Sequence, residues 1–164
     1  MISEPRKFNS GISGISVILD ISVIMKTSKQ ILPGIKSIGW VECQRLPRRV
    51  DLNGICGIAV SVLADVHHLE FFGEPTCECK TVRDGAAQQD TVTLKFNSSQ
   101  TIPHGAVPAF VVEDVNGKSW LIGSRECPRP VVEYEKISGD SAGYAYEVRH
   151  TAIKSLVPCV VMMK

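Results

Sequence analysis

From Ile35 onward the apolar residues of this chain come in short runs, each closed by Gly, Pro, Asn, Asp or Ser before a helical repeat can develop. Runs so punctuated suit strands joined by tight turns, and they leave no room for the roughly 10–15 residues of helical pattern that alternate with strands in βαβ units. They predict strands at Ile35 to Cys43, Ile55 to Leu63, His67 to Phe72, Thr76 to Val82, Thr91 to Asn97, Ala109 to Val115, Ser119 to Ser124, Val131 to Ile137 and Tyr144 to Ile153. The expected fold class is all-β, an antiparallel sandwich or barrel-like meander with an N-terminal β arm. Alternation is cleanest where Val92, Leu94 and Phe96 oppose Thr91, Thr93, Lys95 and Asn97, and where Tyr144, Tyr146 and Val148 oppose Ala145, Glu147 and Arg149. Each of these strands should keep one wet face. Asn116-Gly117 supplies the two positive φ angles of a type I′ turn, so the strands either side of it should pair antiparallel. Asp84-Gly85 and Ser138 to Gly143 read as further hairpin connections, giving a meander through the second half. Gly57 to Val66 has a short helix as its alternative.

Ahead of this region Ile15, Val17, Leu19, Ile21, Val23 and Met25 share one face of a period-two pattern, with Ser16, Asp20 and Ser22 on the other beside Ile18 and Ile24. Alternation with β-branching argues for a strand. Polar Lys26 to Gln30 and then Pro33-Gly34 set a boundary, so residues 1–30 form an apolar arm or extension and 31–164 a single β domain; Met25 is an alternative start of translation. A chain of 164 residues can bury one core without staples. Arg6 and Lys7 before the apolar run imitate a signal peptide, but Asp20 interrupts it and no small-residue cleavage site follows. The run is also too short to span a bilayer. Cys43, Cys56, Cys77, Cys79, Cys127 and Cys159 are therefore expected as mostly buried thiols in a reducing location.

Eighteen Lys and Arg against 17 Asp and Glu leave a net charge of +1, with no long-range field to hold a polyanion. Arg45, Arg48 and Arg49 form a small basic patch without interleaved aromatics, and read as a solvated loop. Gly139-Asp140-Ser141-Ala142-Gly143 resembles the nucleophile loop of chymotrypsin-like serine proteases over five residues. A nucleophilic Ser141 needs a base, an orienting carboxylate and oxyanion donors, and neither His67 nor His68 has the family's context, so a polar turn is expected. Cys77-Glu78-Cys79 has one residue between its thiols where closed zinc sites have two to four, and no second ligand pair matches it. Two cysteines on one face of a strand suffice as an account. His67 and His68 should point to opposite faces, His150 continues the face of Tyr144, Tyr146 and Val148 as a satisfied core or rim histidine, and His104 sits in a loop between Pro103 and Gly105. No phosphate loop or dinucleotide fingerprint is present. The expectation is a protein without catalytic residues, cofactor or metal.

Ser119-Trp120-Leu121-Ile122-Gly123-Ser124-Arg125-Glu126, Pro128, Pro130-Val131-Val132, a polar loop, Tyr146 to His150 and Ile153-Lys154-Ser155-Leu156-Val157-Pro158 together resemble small virion structural proteins encoded by prophages of gut bacteria. The resemblance covers residues 105–160. It implies a head, head-tail connector or tail component, a location in the virion after assembly in the bacterial cytoplasm, and no catalytic residues. An apolar strand-forming arm agrees with that, because such a strand can add to another subunit's sheet edge. Ile15, Val17, Leu19, Ile21 and Val23 are the expected contacts in a homo-oligomer, with other copies and other virion proteins as partners, no membrane, and no direct readout of nucleic acid. The alternative is a small monomeric β binding module that recognises a protein or ligand through Phe71, Phe72, Arg83, Asp84 and Gly85.

Overall fold

The computed structural model describes residues 25–85, 87–139 and 142–162. In chain order they form β1 (Met25–Ile31), β2 (Ile35–Glu42), a 3-10 turn (Cys43–Arg45), α1 (Val50–Ile55), β3 (Val60–Val62), β4 (His67–Leu69), β5 (Phe71–Asp84), β6 (Ala87–Ser98), β7 (Pro108–Asp114), β8 (Ser119–Ile122), β9 (Val131–Ile137), β10 (Gly143–Ala152) and β11 (Leu156–Val161). The expected arm contacts at Ile15, Val17, Leu19, Ile21 and Val23, and Ser141, lie outside the described residues.

Contacts divide the chain into two units. One comprises Met1–Ser28 with Thr81–Gln88, the other Lys29–Lys80 with Gln89–Lys164. In the smaller unit β5 leads to β6 through Gly85 at φ 59°, and Arg83 donates from its guanidinium to Gln88 Oε1.

The larger unit is an all-β sandwich. One sheet has the order β1-β5-β6-β10-β9 and the other β3-β11-β8-β7-β2-β4. β3 runs parallel to β11, while β2 with β4 and β7, β7 with β8, β8 with β11, and β10 with β6 and β9 are antiparallel. Hairpins form locally at β7–β8 and β9–β10, but the chain changes sheets between β8 and β9 and again between β10 and β11.

Period-two alternation does what it requires in β6 and β10. Val92, Leu94, Phe96, Tyr146, Val148 and His150 are buried, while Lys95 and Arg149 are exposed on the opposite face. The inner face meets Ile38, Trp40, Phe110, Val112, Trp120, Ile122 and Leu156 of the facing sheet. Phe96 and Phe110 join the layers edge to face, 6.3 Å between centroids, an arrangement that adds about 0.5–1.5 kcal/mol to the burial of the rings. The six-stranded sheet is buried on its other face too, where Val41, Ala109, Val111, Leu121 and Val157 lie with Leu46, Val50, Val60 and Val62. This is why the apolar run of β7 is unbroken: all its residues but Glu113 are buried.

Several elements differ from expectation. The strand expected from Ile55 is helix α1 up to Ile55, with Val50 and Gly54 buried four residues apart on one face. Gly57, at φ 75°, closes it, so neither a strand nor a helix begins there and β3 is confined to Val60–Val62. Phe71–Asp84 is one strand through Gly73, not two. The Asn116-Gly117 hairpin pairs as expected, yet only Gly117 has a positive φ, 83°. Asp114 and Gly117 close a type I turn (Gly117 N–H to Asp114 O, 3.0 Å), with Gly117 as the bulge residue. Asp114 dictates this choice: its Oδ1 accepts from Asn116 and Lys118 N–H at 2.9 and 3.0 Å, and its Oδ2 from the Trp120 indole at 3.2 Å. Glycine has a second use at Gly39, where a Cβ would lie 2.4 Å from Val66 Cγ1, so Val66 can seat directly on β2.

Candidate functional site

β9 is the last strand of its sheet and carries three charged side chains, Glu133, Glu135 and Lys136, in seven residues. Its register against β10 sets Tyr134 opposite Tyr146, Val132 opposite Val148 and Lys136 opposite Tyr144, so these three face inward and Val131, Glu133 and Glu135 face outward. Inward positions on an edge strand have a neighbouring strand on one side only. Val132 packs on the core, whereas Tyr134 stays 54% exposed.

Tyr134, Tyr144 and Tyr146 form one aromatic cluster. Tyr134 lies 5.7 Å from each of the others, at 80° to Tyr144 and 38° to Tyr146, and Tyr146 stacks on Phe96 at 5.1 Å. Tyr146 fixes the cluster from below: its hydroxyl donates to Gln100 O at 3.1 Å. Burial raises its phenol pKa, with the neighbouring phenols adding to the shift and a backbone hydrogen bond at Ile102 opposing it. The segment 101–108, which carries Pro103, His104 and Pro108, forms the opposite wall of a cleft of about 360 Å³. On the outer face of the sheet a shallower depression of about 570 Å³ is bordered by Glu74, Glu133, Glu135 and Glu147 against Lys95. Tyr134 and Tyr146 border both spaces, so β9 forms the rim between them.

A second cluster sits at the other end of β6 and β10. Asp90 is fully buried, and neither carboxylate oxygen has a hydrogen-bond partner; Lys154 Nζ approaches at 3.9 Å and Ser155 Oγ binds the Asp90 carbonyl at 2.6 Å. His150, two rungs away on the same face, is 2% exposed and its Nδ1 is unpartnered, so it is a core histidine but not a satisfied one. Burial lowers its pKa to about 4, with Asp51 pulling the other way.

The residues singled out in the sequence scatter. Phe71 packs on the core and Phe72 lies beside Gly143, both half-buried in the larger unit, whereas Arg83, Asp84 and Gly85 belong to the smaller one. Cys77 and Cys79 point into the core from β5, and burial pushes the Cys77 thiol up to about 12. Among the described residues no group of three or more His, Cys, Asp or Glu could hold a metal ion. His67 stacks on Trp40 at 4.6 Å, His68 lines the opposite face of the same sheet, and His104 joins the tyrosine cleft. Arg49 takes the left-handed conformation at the start of α1, where its N–H donates to Glu126 at 3.3 Å. The tyrosines of β10 were readable as an alternating face, but their convergence with Tyr134 and His104 needs the β9–β10 register and had no local signal.

Compared with known proteins, the chain matches no family model, no curated protein and no solved structure.

Proposed function

We propose that this chain is a non-enzymatic assembly module that takes an extended segment of another polypeptide onto the edge of β9, one side of that segment filling the tyrosine cleft. The observation that carries this reading is a seven-residue strand at the sheet edge, flanked by a half-open aromatic cleft. Edge strands template further strands, with main-chain bonds supplying affinity and alternate side chains supplying selection. The edges at β3 and β4 are three residues each and offer far fewer such bonds, and β1, the other seven-residue edge, does not border the tyrosine cleft. The resemblance of residues 105–160 to prophage virion proteins supports a head, connector or tail as the setting, with other virion proteins or further copies as partners.

The test is selection of eight- to ten-residue peptides from a random library by the full chain, followed by hydrogen exchange on each complex. Selected peptides should slow exchange of the β9 amides. Peptides that bind but protect only other strands, or none selected at all, would remove the reading. The virion setting is checked separately, by searching nuclease-treated particles from an induced lysogen that encodes this chain. Its absence from particles would leave the module and discard the setting.

A further inference from the structure

Resting on that reading, we infer that the segment accepted by β9 alternates apolar with basic side chains. The argument starts from parity. Successive residues of any added strand point to opposite faces of the sheet, so one set lies over Tyr134 and the cleft while the other lies beside Glu133 and Glu135. The inner set meets tyrosine rings and prolines, which suits apolar side chains. The outer set meets four carboxylates around a depression whose lining includes one cation, Lys95. Glu147, opposite Glu133 in the ladder, has a counter-ion of its own in Arg149 at 2.6 Å, while Glu133 and Glu135 stand on the open side.

Charges on an exposed edge discourage indiscriminate pairing; two glutamates of one sign convert that discouragement into choice. Two β9 strands pairing antiparallel about Tyr134 would set Glu133 against Glu135 on both sides of the centre, which like charges directly opposite disfavour. A second copy's β9 is therefore a poor occupant. The chain's own run Ile15 to Val23 has Ser16, Asp20 and Ser22 on its polar side and brings no base. A strand with Lys or Arg at two alternate positions satisfies both faces. Two opposite-charge cross-strand pairs are worth on the order of a tenfold gain in affinity over uncharged pairs.

The experiment uses the full chain and fluorescent octapeptides in which valine alternates with lysine, glutamine or glutamate, together with a block peptide of four valines and four lysines. Binding is read by anisotropy, and its site by β9 hydrogen exchange. The alternating lysine peptide should bind about tenfold tighter than the glutamine one, and tighter than the block peptide. That advantage should vanish in the Glu133→Gln, Glu135→Gln double variant and reverse toward the glutamate peptide in Glu133→Lys, Glu135→Lys, with unfolding temperatures unchanged. Equal binding of the lysine and glutamine peptides, both protecting β9, would overturn the basic specificity and leave strand addition standing. Equal binding of the block peptide would reduce the effect to bulk charge and likewise overturn it. If no peptide protects β9, strand addition falls as well.

Discussion

Acidification should destabilise this protein through His150 before its carboxylates titrate. The imidazole lies on the inner face of β10 opposite Val92, 2% exposed, with Nδ1 unpartnered. Burial disfavours the charged form and lowers the pKa from 6.5 to about 4, with the Asp51 carboxylate opposing. Because the folded value is below the unfolded one, the unfolded chain binds more protons throughout that interval, so stability rises with pH there and is complete above 6.5. The full span corresponds to about 3 kcal/mol, and the part above pH 5 to about 2 kcal/mol, at about 1.4 kcal/mol per unit. For a chain of this size that part is roughly 4–8 °C in unfolding temperature. The assay is urea and thermal unfolding of the parent and His150→Leu from about pH 7.5 down to about pH 5, a range chosen to stay above ordinary carboxylate titration. The parent should lose about 2 kcal/mol more than the variant over the lower part of that range. Parallel pH profiles would show that the folded state accommodates the imidazolium, and the burial argument would fail.

Three further outcomes follow from the packing. Phe110→Ala empties the centre between the sheets and should cost about 3–5 kcal/mol, read as a fall in urea midpoint with little change in slope. Gly39→Ala forces a methyl against Val66 and should cost about 1–3 kcal/mol; adding Val66→Ala should recover part of that loss, and strict additivity of the two would refute the contact. At Asp114 burial works to raise the carboxyl, and the bonds from Lys118, Trp120 and Asn116 overcome it, so the group sits below its ordinary value of 3.8. Its contribution is present above 3.8 and lost as pH falls through the lower folded value; Asp114→Asn should flatten that acid limb, which unfolding at graded low pH would show.

What the sequence made legible was whatever is enforced by local periodicity. Val92, Leu94 and Phe96 had to share a face, and Asn116-Gly117 had to turn the chain, so β7 and β8 were readable to within two residues, while β6 was read from Thr91 and its first four residues, Ala87 to Asp90, were missed. The turn type was not, because it depends on the Asp114 carboxylate capturing two amides and an indole two to six residues along the chain, which no dipeptide rule records. β11 was missed because Pro158 interrupts its run; in the fold Pro158 lies opposite Trp120, one residue before the β3 ladder begins at Cys159. α1 was missed because its buried pair, Val50 and Gly54, includes a residue with no side chain to show a helical period. β9 was placed correctly as a strand, but its position at the sheet edge comes from the chain crossing between layers after β8, a long-range event that no window of residues records.

The two sheets differ in how much change they can absorb. The six-stranded sheet is covered on both faces, so almost any change in β7 or β8 opens a cavity or strands a polar group. β9 is bonded on one side and mostly exposed, at Val131, Glu133, Tyr134, Glu135 and Lys136. Substitutions at Glu133 or Glu135 should therefore move stability by no more than about 0.5 kcal/mol, which thermal unfolding of the single variants checks. A larger loss would mean that these carboxylates support the sheet itself, and their freedom to select a partner strand would have to be given up. Position in the sheet, more than residue type, is what allows an edge of this kind to vary in charge while the core beneath it stays fixed.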